Sequence, residues 1–158
     1  MKNKWIKKMV SLVLAAGIIG ICVLGVQASN NADSTLTSFE ISCTEFTLLP
    51  YARNKTDASS VYVYITNLGF TYAHVQARGA NAASGITMNN TVNETYSLIY
   101  GTTSYVRCWK GSPYAVHSLI YEDGYPYATL AFHSGYGAND HVTGYWSPDS
   151  TGTYPDAN

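Results

Sequence analysis

The sequence predicts an all-β fold, an antiparallel β-sandwich or barrel of about eight strands that follows an N-terminal signal helix. Three observations lead there. Apolar and polar residues alternate at period two in several stretches, among them 61–66 (VYVYIT) and 105–109 (YVRCW), as half-buried strands do. Turn-forming residues interrupt the chain at intervals of about 8–12 residues, the usual spacing of small β-domains. After residue 28, no segment of ten or more residues repeats its apolar positions at helical spacing.

Residues 1–28 read as a signal peptide. MKNKWIKK carries four lysines, an apolar run follows over 9–26, and Val26-Gln27-Ala28 places small residues before a cleavage point. The chain is therefore expected to be secreted. The alternative is an uncleaved membrane anchor, since an apolar run of about 18 residues can just span a bilayer. Any membrane contact is expected through this segment alone. Residues 29–38 are small and polar and predict a flexible tail; 39–158 predict a single β-domain.

Residues 39–49 form a long strand candidate. Phe39, Ile41 and Cys43 share one face, while Phe46 and Leu48 have moved to the other, so a bulge or bend is expected near Thr44. In 61–66, Val61, Val63 and Ile65 point inward and Tyr62, Tyr64 and Thr66 outward. In 71–78, Ala73, Val75 and Ala77 point inward, with Tyr72, His74, Gln76 and Arg78 outward. A turn at 67–70, with Gly69 free to take positive φ, would join these two as a hairpin. Residues 79–93 read as a long loop. Strands are expected over 95–100 and 105–109, the second with Val106 and Cys108 inward and Tyr105, Arg107 and Trp109 outward.

The densest β-forming stretch is 116–146. Asp123-Gly124 between two apolar runs predicts a tight hairpin, with Leu119, Tyr121, Ala128, Leu130 and Phe132 on its core face. A loop follows at 134–140, then a last strand at 141–147 that Pro148 ends.

Residues 29–158 hold five basic and ten acidic residues, a formal charge of −5. Without a basic cluster the chain lacks the footprint that neutralises phosphates, so nucleic acid and anionic lipid are poor partners. The two cysteines after the signal, Cys43 and Cys108, both face inward and read as a disulfide in an oxidising exterior. It would close a loop spanning 65 residues, worth roughly 4 kcal/mol in the chain-entropy account.

No catalytic, metal or cofactor site emerges from the motifs. The four histidines form neither HExxH nor His-x-His, and the expected hairpin puts His117 and His133 on opposite faces, where they cannot share an ion. His133-Ser134 and Asp140-His141 are neighbours in sequence, which on a strand sends their side chains apart. Gly135-Tyr136-Gly137 lacks the serine of a nucleophile elbow. Nothing singles out a carboxylate pair among Glu40, Glu45, Glu94 and Glu122. The chain is expected not to be an enzyme.

The strongest compositional signal is tyrosine, fourteen residues against four phenylalanines. On the outward side of a strand, tyrosine offers flat apolar area with a polar tip. Tyr62, Tyr64, Tyr72, Tyr105, Trp109 and Tyr145 are the candidate binding residues, suited to stacking on sugars or packing on a protein. Tyrosine is also a good strand former that covers half-buried positions without any ligand.

The run SLIYEDGYPYATLAF, followed by VTGYWSPDSTGTYP, resembles small signal-bearing secreted proteins of Gram-positive bacteria that carry a domain of unknown function. The match spans roughly 61–155. The layout of a signal peptide before a tyrosine- and glycine-rich β-domain is also similar to lactococcin-type bacteriocins. These resemblances imply an extracellular protein and transfer no functional residue. The expected function is non-enzymatic binding of a cell-envelope component, a cell-wall glycan or surface protein. The alternatives are a bacteriocin-like effector and a small hydrolase using His117 or His133.

Overall fold

A period-two stretch becomes a strand when a second sheet is there to cover its β-branched side. The computed structural model describes residues 34–98, 101–102 and 104–158. The signal peptide expected over 1–28, and 29–33 of the expected tail, lie outside the described residues. Among these there are twelve strands: β1 (Ser34–Ile41), β2 (Thr47–Leu48), β3 (Arg53–Asn54), β4 (Val61–Asn67), β5 (Tyr72–Ala80), β6 (Thr91–Asn93), β7 (Tyr96–Ser97), β8 (Gly101–Thr102), β9 (Val106–Trp109), β10 (Pro113–Val116), β11 (Tyr127–His133) and β12 (Asp140–Ser147). The described part is all-β.

Two antiparallel sheets pack face to face. The first has the order β1-β12-β4-β10 and the second β2-β11-β5-β6. In the second sheet β9 shares one edge of β5 with β6, and β3 shares the far edge of β11 with β2. Strands β7 and β8 pair separately. The core forms where the two inner faces meet. Leu36, Ile41, Val61, Val63, Ile65, Val116, Val142 and Trp146 come from the first sheet, and Ala73, Val75, Ala77, Val106, Cys108, Leu130 and Phe132 from the second. The inward sets of β4, β5 and β9 match the alternation in the sequence.

The connections differ from expectation, and for one reason. At both expected hairpins, strands adjacent in sequence do not pair but pass from one sheet to the other. The hairpin over 61–78 does not form, because β4 pairs with β10 and β12 while β5 pairs with β6, β9 and β11. Asp140 pins the crossing: its carboxylate accepts from Gly69 N at 3.2 Å and Phe70 N at 3.0 Å. Gly69 is needed there for space, as an added Cβ would lie 2.8 Å from Asp140 Oδ1; positive φ has no part in it.

The hairpin at Asp123-Gly124 is likewise absent, with β10 in the first sheet and β11 in the second. Instead the chain makes one helical turn, in which Asp123 N donates to Leu119 O at 2.8 Å. Gly124 closes it at φ 81°, the left-handed conformation that ends helices and is open to glycine. The turn swings Ile120 into the core, while Leu119 and Tyr121, expected inside, are exposed. Ala128, Leu130 and Phe132 hold the core face as expected.

Of the bulge or bend expected near Thr44, the bend is present: the chain bends over 43–45 and passes from β1 in one sheet to β2 in the other. The bulge of β1 lies earlier, between Leu36 and Phe39. Residues 34–38 of the expected tail belong to β1, where Leu36 is buried and pairs with Gly144. One core side chain and an open edge on β12 are enough to order this small, polar segment.

Cys43 and Cys108 are free thiols, so the expected disulfide is not formed. Cys108 lies opposite Ala73 in the core, whereas Cys43 sits at the corner between the sheets, its N–H donated to Asn139 Oδ1. The departure of the chain from β1 at Ile41 carries Cys43 out of the inward row that the alternation assigns it.

Candidate functional site

The outward row of β5 begins Tyr72, His74 and continues Gln76, Arg78. Its two halves have different fates. Gln76 and Arg78 are buried beneath the connection to β6. Arg78 donates to Gln76 Oε1 at 2.7 Å, Thr91 Oγ1 at 2.9 Å, Thr91 O at 2.7 Å and Met88 O at 3.0 Å, and burial pulls its pKa down. Tyr72 and His74 carry no such lid.

Around them the outer face of the second sheet gathers aromatic rings. Tyr72 stands opposite Trp109 of β9, with ring centroids 5.0 Å apart. His74 stands between Arg107 of β9 and His133 of β11 in the register of the three strands. Its ring lies 4.2 Å from Tyr105 and 5.7 Å from His133. Phe46 closes one end, 5.4 Å from His133 and 6.0 Å from Tyr105. At the other end Tyr136 lies 5.0 Å from Tyr72 and stacks on Phe70 at 4.3 Å. Its hydroxyl meets Thr71 Oγ1 at 2.5 Å. The Arg107 guanidinium sits over the Tyr72 ring at 5.3 Å, a cation–π contact.

Exposure is concentrated on one strand. Trp109 is 46% exposed and Tyr105 38%, with exposed Arg107 between them on the same side of β9. Beside them lies a cleft of about 430 Å³ lined by Ser97, Ser104, Tyr105, Val106, Arg107, Trp109 and Asn158, within the size range of small-ligand sites.

The structure divides the six candidate residues between two faces. Tyr72, Tyr105 and Trp109 share the ring array just described. Tyr62, Tyr64 and Tyr145 lie on the outer face of the first sheet, where Tyr64 and Tyr145 are paired and stack at 6.4 Å. Tyr62 there packs on Tyr154 at 4.7 Å. With the core between the sheets, the two sets cannot touch one ligand unit.

A second polar arrangement joins Ser60, His117 and Asp156. Ser60 Oγ lies 2.9 Å from His117 Nδ1, and His117 Nε2 lies 2.7 Å from Asp156 Oδ1. All three are reachable by solvent to some degree. His133 is engaged otherwise, its Nδ1 accepting the Gly135 N–H at 2.9 Å, which leaves its proton on Nε2 in the neutral ring. Among the described residues no group of three or more His, Cys, Asp and Glu side chains could hold a metal ion.

A family model described as a protein of unknown function, DUF2712, matches residues 24–150. The chain belongs to this family. Curated proteins and solved structures give no match. Membership of DUF2712 accords with the resemblance to proteins carrying a domain of unknown function, and nothing in it supports a likeness to lactococcin-type bacteriocins.

For this DUF2712 member, sequence reasoning missed Phe46, Phe70, His74, Arg107 and Tyr136 as site residues, and considered His133 only for a hydrolase. His74 and Arg107 were within reach, because they stand in the same outward rows as Tyr72 and Trp109. Phe46, Phe70 and Tyr136 lie outside the strands, where no periodicity assigns a face. Ser60, His117 and Asp156 are far apart in sequence, and only the pairing of β4 with β10 and the contact of Ala115 with Asp156 bring them together.

Proposed function

We propose that this chain is an exported, non-enzymatic binding protein that holds a component of the cell envelope against the aromatic face of its second sheet. One observation carries the reading: Trp109 and Tyr105 project on either side of Arg107 from a ring array that already fixes their positions. Rings held by neighbours lose little freedom on binding, so their flat faces are prepared for a ligand. The export half of the proposal rests on the signal-like residues 1–28. Retention of the purified protein on peptidoglycan or wall polysaccharides tests it. Retention above a heat-denatured control is expected, and none would reject it.

The relay of Ser60, His117 and Asp156 favours a second reading, a small hydrolase. Here Ser60 Oγ would give its proton to His117 Nδ1 as it attacks a carbonyl carbon. The resulting imidazolium would be held at Nε2 by Asp156, and the leaving group would receive the proton. The ring nitrogens are used in the reverse of the usual sense, in which the serine meets Nε2. Esterase and peptidase screens test this reading. Turnover lost in Ser60→Ala supports it, and turnover that survives in His117→Ala ends it.

A further inference from the structure

We infer that the ligand of the aromatic face is an acidic glycan, a sugar polymer bearing carboxylate or phosphate groups, and that Arg107 reads its charge. This rests on the binding reading above and names the class of ligand.

Arg107 differs from the other basic residues of the domain. Lys55 is buried against Asp149, Arg78 is enclosed by four acceptors, Lys110 Nζ donates to Leu68 O, and Arg53 is half-buried with its guanidinium over the ring of the core residue Trp146 at 5.8 Å. Arg107 is exposed, and among the described residues no carboxylate pairs with it. A guanidinium lying over a ring keeps its N–H donors in the plane, where they can meet carboxylate or phosphate two at a time. Stacking on Tyr72 at 5.3 Å places it in that state before any ligand arrives.

Its neighbours complete the fit to a sugar. Alternate residues of a strand are about 6.6 Å apart, so Tyr105 and Trp109 flank the cation at sugar-ring scale on the same side. Sugars present apolar C–H faces suited to such rings and hydroxyls suited to exposed Ser104, which lines the adjoining cleft. A peptide adding itself as an extra strand is a poorer occupant. Such addition needs free edge amides, and the Arg107 N–H is already donated to Asn158 O. The formal charge of −5 over 29–158 repels polyanions at long range. Recognition therefore depends on short-range contact at this one cation.

The test is binding of the purified chain to polygalacturonate, its fully methyl-esterified form, dextran phosphate, dextran and poly-glutamate. Binding to at least one of the two acidic polysaccharides is expected to be tenfold tighter than to its neutral counterpart. Whichever acid is preferred identifies carboxylate or phosphate as the source. Arg107→Gln, at an exposed site, is expected to stay folded and to abolish the preference, and Arg107→Lys to keep part of it. Three results overturn the inference: equal binding to acidic and neutral polymers, a preference that Arg107→Gln leaves intact, or poly-glutamate bound as tightly as the acidic glycans. If neutral polymers bind and Trp109→Ala abolishes it, the binding reading survives without the acidic class. If no polymer and no envelope preparation is retained, both fall.

Discussion

His74 and His133 face each other across the β5–β11 pair, their rings 5.7 Å apart and within 18° of parallel. Around His74 stand His133 from β11, Arg107 from β9, and Tyr72 and Tyr105. Burial first, then the charges on His133 and Arg107, hold its pKa below the ordinary imidazole value. As pH falls through about 6.5 the unfolded chain therefore takes up this proton before the folded one. The stability from neutral His74 is complete above that pH and is lost below it. The melting temperature is expected to fall between about pH 7.5 and pH 5, with a shallower fall in His74→Phe. Equal slopes in the two proteins would show that His74 does not drive it.

The two thiols should differ in reactivity. Burial pushes the Cys108 pKa far up, and the thiolate is the reactive form. Cys43 is only half-buried at its corner. Iodoacetamide at neutral pH should label Cys43 in the native protein and Cys108 only after denaturation, read by peptide mass. A non-reducing digest that yields one linked Cys43–Cys108 peptide would contradict the fold at this corner.

The separation of the six candidate residues into two faces makes a prediction for the proposed binding. Trp109→Ala and Tyr105→Ala should each weaken binding about tenfold, equivalent to about 1.4 kcal/mol. Tyr145→Ala, on the other sheet, should change it less than about twofold, since residues outside the contact rarely matter. Calorimetric titration of the three variants against whichever envelope fraction retains the parent protein decides it. Equal losses in all three would mean that the wrong face has been assigned.

How far this could be read from the sequence follows from what period two encodes. Alternation reports which side of a strand is buried, and so the inward rows of β4, β5 and β9 were legible down to Cys108. It does not report which strand lies alongside. Val61–Asn67 and Tyr72–Ala80 look like hairpin partners because each alternates and a glycine lies between them. The Asp140 carboxylate that turns the chain between sheets comes from about 70 residues away, beyond any local signal. Asp123-Gly124 has the right residues for either a tight hairpin or the end of a helical turn. Ile120, buried in place of Leu119 and Tyr121, decides between them in space but not in sequence. The candidate site was legible in its strand-borne half for the same reason, and lost where Phe46, Phe70 and Tyr136 enter from connections.

The pair formed by Lys55 and Asp149 yields the largest expected stability effect. Lys55 Nζ and Asp149 Oδ1 are 2.7 Å apart, with the two side chains 1% and 0% exposed. Asp149 also accepts from Thr56 N at 3.1 Å and Thr56 Oγ1 at 2.7 Å, and Lys55 donates to Ser59 O at 2.5 Å. Both charges are thus satisfied within the protein, and the segment after β3 is tied to the end of β12. Removing one partner strands the other without solvent, which costs about 3–5 kcal/mol, whereas exchanging both for apolar residues is far less damaging. Lys55→Met should therefore lower the unfolding free energy by about 3–5 kcal/mol, measured in urea with an unchanged m value. Lys55→Met combined with Asp149→Leu should recover part of that loss. The non-additivity is the informative quantity, because independent sites would sum. A double variant whose loss equals or exceeds the two single losses together would mean that the contacts of Asp149 with Thr56, rather than the ion pair, hold this corner closed.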